Sequence, residues 1–471
     1  MSVSRRRLLG YSAGAPALTS AVTQNWLPES GPYSVSAIDP GSLEKGAAAL
    51  PASGGVLALQ PGHHSVEGPL ALDKPLTVLG HGAAFTSIEN RSLGPNDDAL
   101  TITPSPSFSH TLMRLEGVAL HDPTNGRRPG AVGIALNTTA PGHLLPKFTL
   151  RDVSVGQGGG SALHHRHLPQ AGPQGGLYGA LIQNCVLKGG VILDGSGDSN
   201  SIVHCILSGG GIGVNAGLTA RASLLEVASN NITNAAGAFR LTSGSRFLFH
   251  GNNCENRDAG ALRGNGGAVV NISGQQTPIV GGLVTGNLIS AFGRSDATCL
   301  LRLDNCSGTL VADNVFLAGT RGVTGIEIGA GCRDVRIAAN AFNEAVQPAI
   351  VDYGVGTMGV AKSLSLEQGW HPAQPASPPQ FMKEASGLVT VWGETQSLGT
   401  SETAFILPEG FRPLAPFSAP TVIEAGGEVR VGRVKVAADG VTSIAGAKRD
   451  ETVSLALSFG ARNLGHSISP E

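Results

Sequence analysis

Four side chains in this chain have the strongest chemical potential: Arg302, Asp258, Glu327 and Asp296. Eliminative cleavage of a uronate needs a cation to neutralise the sugar carboxylate and a base to take the C5 proton, so arginines near an acid are the relevant pattern. Hydrolysis of a glycosidic bond needs two carboxylates flanking it, and Asp258, Asp296 and Glu327 are the nearest candidates. Around them, Arg240, Arg257, Arg263, Asn271 and Arg294 could bind a substrate, and His164 and His167 of His164-His165-Arg166-His167 add imidazoles. The competing reading is a solvated ladder in which Arg302 and Glu327 only pair across one rung, worth under about 1 kcal/mol. No metal site is expected. His63-His64 and the later histidine run lack an i,i+4 helical spacing, and there is no CxxC, HExxH or GxSxG. Gly354-Val355-Gly356-Thr357-Met358-Gly359 matches GxGxxG without a surrounding βαβ unit, so it signals no dinucleotide. No cofactor is expected, and Ca²⁺ is an option that no motif specifies.

These residues can act together only if a repeating scaffold brings them side by side. A short β-type run, an Asn and an apolar pair recur, with the key position at 184, 204, 231, 253, 287, 314 and 340. A second column alternates with the first: Val191-Ile192-Leu193-Asp194, Ile212-Gly213-Val214-Asn215, Phe239-Arg240-Leu241-Thr242, Val270-Asn271-Ile272-Ser273, Leu301-Arg302-Leu303-Asp304 and Ile326-Glu327-Ile328-Gly329. Each run has the in-out period of a half-buried strand, so Arg240, Asn271, Arg302 and Glu327 share one outward position on successive rungs. Two or three short strands per repeat, separated by Gly/Asn turns, describe one coil of a parallel β-helix. The turn Asn is expected to form an interior ladder. Cys185, Cys205 and Cys254 are placed at one rung position as stacked buried thiols. The turns at 188–190, 208–211 and 234–237 are short, between long loops at 156–178 and 255–267. The expected result is a trough roughly 14 Å long, three rungs at about 4.8 Å each.

Composition agrees with this scaffold. Of 471 residues 67 are Gly, while only 14% are charged and 4% aromatic, which excludes a charged helical bundle and a coiled coil. A net charge of −2 supplies no basic surplus for phosphates, so no nucleic-acid partner is expected. Arg5-Arg6-Arg7 followed by an uncharged Ala/Ser/Gly-rich stretch has the form of a twin-arginine-type export signal, with a basic anchor arm as the alternative. No later apolar run approaches the roughly 18 residues of a membrane span.

The rungs resemble the right-handed parallel β-helix proteins of the pectin-lyase-like superfamily, and Leu50-Pro51-Ala52-Ser53-Gly54-Gly55-Val56-Leu57-Ala58-Leu59 looks like a first coil. After them Trp370-His371-Pro372, Pro375, Pro378 and Pro379 read as a linker that cannot continue a strand. Ala404 to Pro413 followed by Ala438-Asp439-Gly440 looks like the terminal module of phage tail-fibre proteins. The fold class is therefore all-β, a right-handed parallel β-helix followed by a small antiparallel β-sandwich. The expected division is 1–30 signal or arm, 31–45 lead-in, 46–361 β-helix, 362–380 Pro-rich linker, 381–463 sandwich and 464–471 tail. The resemblance implies an extracellular or virion-borne, homotrimeric spike that recognises a polysaccharide. The alternatives are an exported polysaccharide lyase or glycoside hydrolase, and a non-catalytic surface adhesin.

Overall fold

The computed structural model describes residues 34–38 and 43–461, without 95–96, 105–112, 122–130, 141–142, 157–159, 168–175, 196, 209–215, 234–236, 257–261, 293–294 and 385. The expected export signal and the last eight residues lie outside the described part. Three parallel sheets of 12, 11 and 11 strands form the wall of a β-helix. The first sheet runs from Ser34–Ile38 to Arg336–Ala338, the second from Gly62–Val66 to Ala341–Phe342, and the third from Leu70–Leu72 to Ile350–Asp352. The first sheet thus begins ahead of the Leu50 segment, with Ser34–Ile38 paired in parallel to Gly55–Leu59.

Alternation explains why these short runs become strands. In the first sheet, register stacks Leu115, Leu150, Ile182, Ile202, Val227, Phe249, Val284 and Val311, all buried. In the third, Leu218, Phe239, Val270, Leu301 and Ile326 stack in the same way. The run expected there at 212–215 lies outside the described residues; Leu218–Arg221 holds that rung beside Val191–Asp194, so the connection after Ser208 is longer than the short turn expected. Burying one such side chain contributes roughly 1.5–3 kcal/mol, and every coil repeats the contribution several times. A one-residue slip would turn the whole column outward.

Between Leu76–Leu79 and Thr86–Asn90 the corner between first and second sheets is longer, but from the next coil, that of Arg114–Glu116, on it is two residues long. Its first residue is left-handed in nine successive coils (Gly117, Asp152, Asn184, His204, Ser229, Gly251, Gly286, Asp313 and Ala339), with φ between 49° and 67°. The second points inward. From the fifth of these corners on it is Asn230, Asn252, Asn287, Asn314 and Asn340. Each carboxamide oxygen accepts the backbone N–H of the previous member, as from Asn252 to Asn287 at 2.9 Å and from Asn287 to Asn314 at 3.0 Å. Each carboxamide nitrogen donates back to a first-sheet carbonyl, as from Asn287 to Phe249 at 2.9 Å. The ladder corrects the sequence reading at four rungs. Asn231 and Asn253 point outward one residue beyond it, and positions 184 and 204 are the left-handed residues before it. Cys185 and Cys205 occupy the ladder position itself, and their thiols donate to Leu150 and Ile182 carbonyls as the amides do. Cys254 does not share that position; it lies on the second sheet between Ile232 and Ile289. All six cysteines are buried and free.

Both ends of the apolar core are covered. At the start lies the helix Leu43–Ala49, the sole α-helix among the described residues, with Leu43 and Leu50 in the core. Lys74 Nζ caps its C-terminus by donating to the Ala47, Ala48 and Leu50 carbonyls. At the far end Asp352 takes the place of the aliphatic column above Ile328. Its carboxylate accepts from Gly354 N–H at 2.8 Å and faces Lys362 Nζ at 2.7 Å.

The module that follows is a single nine-stranded, mostly antiparallel sheet curled on itself, so both layers of the expected sandwich belong to one sheet. An antiparallel bridge between Leu366 and Phe405 joins its two margins. Its core comprises Trp370, Phe381, Val391, Phe405, Phe411, Val434 and Leu457. The Pro-rich run is no free linker. Trp370–Pro372 pairs antiparallel with Leu388–Ser397, and Trp370 is buried with its indole N–H on the Ser401 carbonyl. Pro372 ends that strand, where its missing N–H leaves no ladder bond unmade. Backbone hydrogen bonds run on from the β-helix into the module, through Ile337 N–H to Met358 O at 2.9 Å and Gly359 N–H to Lys383 O at 2.7 Å.

Asn287→Ala strips the partners from the Asn252 N–H and the Phe249 carbonyl. It should destabilise the β-helix by about 2–4 kcal/mol, whereas exposed Asn231→Ala should stay within about 0.5 kcal/mol. Urea midpoints and the exchange protection of the Asn252 amide check both.

Candidate functional site

The outer face of the third sheet carries a run of polar groups on successive rungs. Register places Thr219, Arg240, Asn271, Arg302 and Glu327 on five consecutive rungs of one outward column. On strands the outward side chains of neighbouring rungs lie about 4.8 Å apart, so the column is a continuous strip. Upstream it continues through His164 and Ile192.

Arg302 is the best-anchored member. Its guanidinium donates to Glu327 Oε2 at 2.9 Å and to the carbonyl of Gly266. Burial is the largest single influence and opposes the charged guanidinium, yet the hydrogen bond to Glu327 together with the charges around it, those of Glu327 and Asp304 included, holds the pKa above its ordinary value. Gly266 and Gly267 are both left-handed, at φ 68° and 78°, and a Cβ on Gly266 would meet the Arg302 guanidinium at 2.9 Å. Glycine is therefore what lets this turn close over the arginine. The same turn, Leu262–Asn265, covers Asn271, whose Nδ2 donates to the Asn265 carbonyl at 3.0 Å. Beneath the pair lies the buried Cys299, its thiol pushed up to about 12 by burial. Burial, then the Arg221 charge, lowers the Arg240 pKa.

Further along the face the charges pair across rungs. Arg166 binds Asp98 through both terminal nitrogens, at 2.5 and 2.9 Å. Arg221 Nε lies 3.3 Å from Asp194 Oδ1. His164 faces outward in this region, its pKa lowered by burial and then by Arg166. His165, next in the chain, points into the core between Leu136 and Leu193. It is hydrogen-bonded to Thr138 Oγ1 at 2.8 Å, and burial drives its pKa down to about 3.

The expected site residues thus divide. Arg240, Asn271, Arg302 and Glu327 come together. His164 lies five rungs from Arg302, about 24 Å, too far to share one reacting centre. His167 turns inward, its Nδ1 3.5 Å from Thr138 Oγ1. Asp296 is exposed in the turn before strand Cys299–Asp304 and does not join the column. Asp258, Arg257 and Arg294 lie outside the described residues, as does the side chain of Arg263. The trough also changes shape. Leu163–His167 is a third-sheet strand instead of a loop, and the long insertion lies after it, leading to Gly176–Tyr178 in a small sheet with Leu144–Pro146 and Gly197–Asp198. The third sheet is therefore the floor, with this small sheet along one side and the Leu262–Gly267 turn along the other. Sequence reading missed Asp304, on the Arg302 face of the same strand, and the Asp98–Arg166 and Asp194–Arg221 pairs. Alternation marks Asp194 as outward, but the segment of Arg166 reads as a loop, Arg221 falls in no expected rung, and nothing local reveals the partners.

Among the described residues no group of three or more His, Cys, Asp or Glu is placed to hold a metal ion, and no helix is long and apolar enough to cross a membrane. No family model matches the chain, and no curated protein is similar to it in sequence. Solved structures are similar in fold. The Dettilon tailspike protein aligns over 86% of this chain and 87% of its own at 12% identity, with a TM-score of 0.50. The A-module of the Azotobacter vinelandii mannuronan C-5 epimerase AlgE4 aligns over 68% and 94% at 14% identity, with a TM-score of 0.43. The tailspike of Acinetobacter phage vB_ApiP_P1 aligns over 86% and 81% at 12% identity, with a TM-score of 0.37.

The buried His165 makes stability depend on pH. Its folded pKa lies below the unfolded value, so the unfolded chain binds the extra proton between pH 6.5 and about 3. Stability should be full above pH 6.5 and fall by up to about 1.4 kcal/mol per pH unit as pH drops through that window. His165→Leu, which continues the aliphatic column, should flatten this dependence in urea titrations at pH 7, 5.5 and 4.

Proposed function

We propose that this protein is a spike-like β-helix protein, extracellular or virion-borne, that binds a surface polysaccharide along the third sheet. One observation carries the reading: a column of polar outward groups, Arg240, Asn271, Arg302 and Glu327, runs along that floor on adjacent rungs whose rise is close to the length of one sugar unit in an extended chain. Arg240, Asn271, Arg302 and Glu327 would contact successive sugars. The fold shared with a tailspike supports this reading, and a trimer fits it.

The first and second sheets are suited to the trimer contact. Their outer faces in the later coils carry Leu248, Leu283 and Leu310 in one register column and Leu288 and Val315 in another. Leu248 and Val315 are 42% and 39% exposed. In these coils the apolar columns and the charge on the third sheet would serve as a side for subunits and a side for ligand.

Turnover is the second reading, favoured by Glu327 and Asp304 flanking Arg302 on one face. The Glu327 carboxylate would act as the base or acid, and Arg302 would hold charge that develops beside it.

Three measurements test these readings. Purified protein incubated with polysaccharides should retain at least one on affinity electrophoresis, and Arg302→Ala should weaken that binding tenfold or more while leaving the circular dichroism unchanged. If the substituted protein binds as well as the parent, the column is not the site. Absorbance near 235 nm and reducing ends followed in parallel decide turnover: new unsaturated ends mark a lyase, reducing ends alone a hydrolase. Light scattering should give three times the chain mass, falling towards one chain in Leu283→Asp; a monomeric parent protein would remove the trimer.

A further inference from the structure

We infer that the third-sheet groove takes an uncharged glycan and not a polyanion, an inference that rests on the polysaccharide reading above. Three of the floor's four described arginines are each paired with a carboxylate. Arg166 is spent on Asp98, Arg221 on Asp194, and Arg302 on Glu327 and the Gly266 carbonyl. Arg240 and Asp304 complete the set, so the described charged groups of these strands, with Asp98, comprise four of each sign. His164 adds no cation near neutral pH, because burial and Arg166 favour its uncharged ring.

A polyanion would have to take each guanidinium from a carboxylate already seated on it, and would then lie beside the displaced carboxylates within a Debye length. A sugar hydroxyl meets no such conflict. It donates and accepts at once, and every Arg–carboxylate pair presents spare oxygen lone pairs beside unused N–H groups. The pairs are reachable, with the Arg221 and Asp194 side chains 53% and 44% exposed. They also hold one another in place, so the donors are oriented before the ligand arrives.

The test uses the full chain on an array of bacterial surface glycans containing neutral repeat units and repeat units bearing uronate or sialate. The expected ligand is neutral, with a Kd that changes less than about twofold between roughly 0.05 and 0.5 M NaCl, since no counter-ions are released. Glu327→Gln with Asp194→Asn frees two guanidinium groups. This variant should gain retention on polygalacturonate by tenfold or more, lost again in high salt, where the parent protein shows none. Binding confined to acidic glycans and lost tenfold or more in salt would overturn the inference while leaving the polysaccharide reading intact. Binding to no glycan on the array would remove that reading and the inference with it.

Discussion

The structure depends on one constraint at the corner between the first and second sheets. The chain must turn there in two residues, the first left-handed and the second with its side chain inside the core. The sharp turn leaves a backbone N–H and a first-sheet carbonyl without strand partners, in a place where water does not reach. A carboxamide meets both needs at once, since its oxygen accepts from the previous corner and its nitrogen donates to the carbonyl. That is why Asn230, Asn252, Asn287, Asn314 and Asn340 follow one another, and why the thiols of Cys185 and Cys205 must stay protonated to stand in their place. Thiol donors are weaker, so the amide rungs form the firmer half of the ladder.

A corner held so tightly sets the phase of everything after it. From the inward residue of each corner, alternation fixes which side chains of the second sheet enter the core. The other two corners carry no such ladder and vary in length, absorbing the 3-10 turn Leu262–Asn265 on one side and the small sheet through Gly176–Tyr178 on the other. The third sheet lies between these two variable corners, so its outer face is the one that acquires walls. The chemistry there is a consequence of that asymmetry: Arg302 keeps its place because a glycine turn can close over it.

The fold was legible from alternation and recurrence, and the column Arg240, Asn271, Arg302, Glu327 from the in-out pattern of runs that begin with Phe, Val, Leu or Ile. Its details were less so. Asn184 and Asn230 are the same residue type at neighbouring corner positions, because asparagine tolerates the left-handed conformation as readily as it caps a ladder. Only hydrogen bonding tells Asn230 from Asn231. The segment around His164 reads as a loop by its polarity, yet Leu163–His167 fits a rung once His165 has Thr138 as a partner. Asp98 and Arg166 stand 68 positions apart, a separation set by the lengths of the intervening turns.

The hydrogen bonds through Ile337, Met358 and Lys383 join the last coil to the curled sheet without an elastic spacer. Mechanical load applied to the module therefore enters the solenoid directly. Because strands lie across the long axis, tension along it pulls on a whole row of backbone bonds at once only if the last coil is loaded evenly; loaded at one edge, the coils would peel singly. The bridge through Met358 attaches the module on the first-sheet side, and Lys362 paired with Asp352 attaches it on the third-sheet side. Two anchorages on different walls spread a pull across the final coil, the geometry in which a stack of weak rungs resists best.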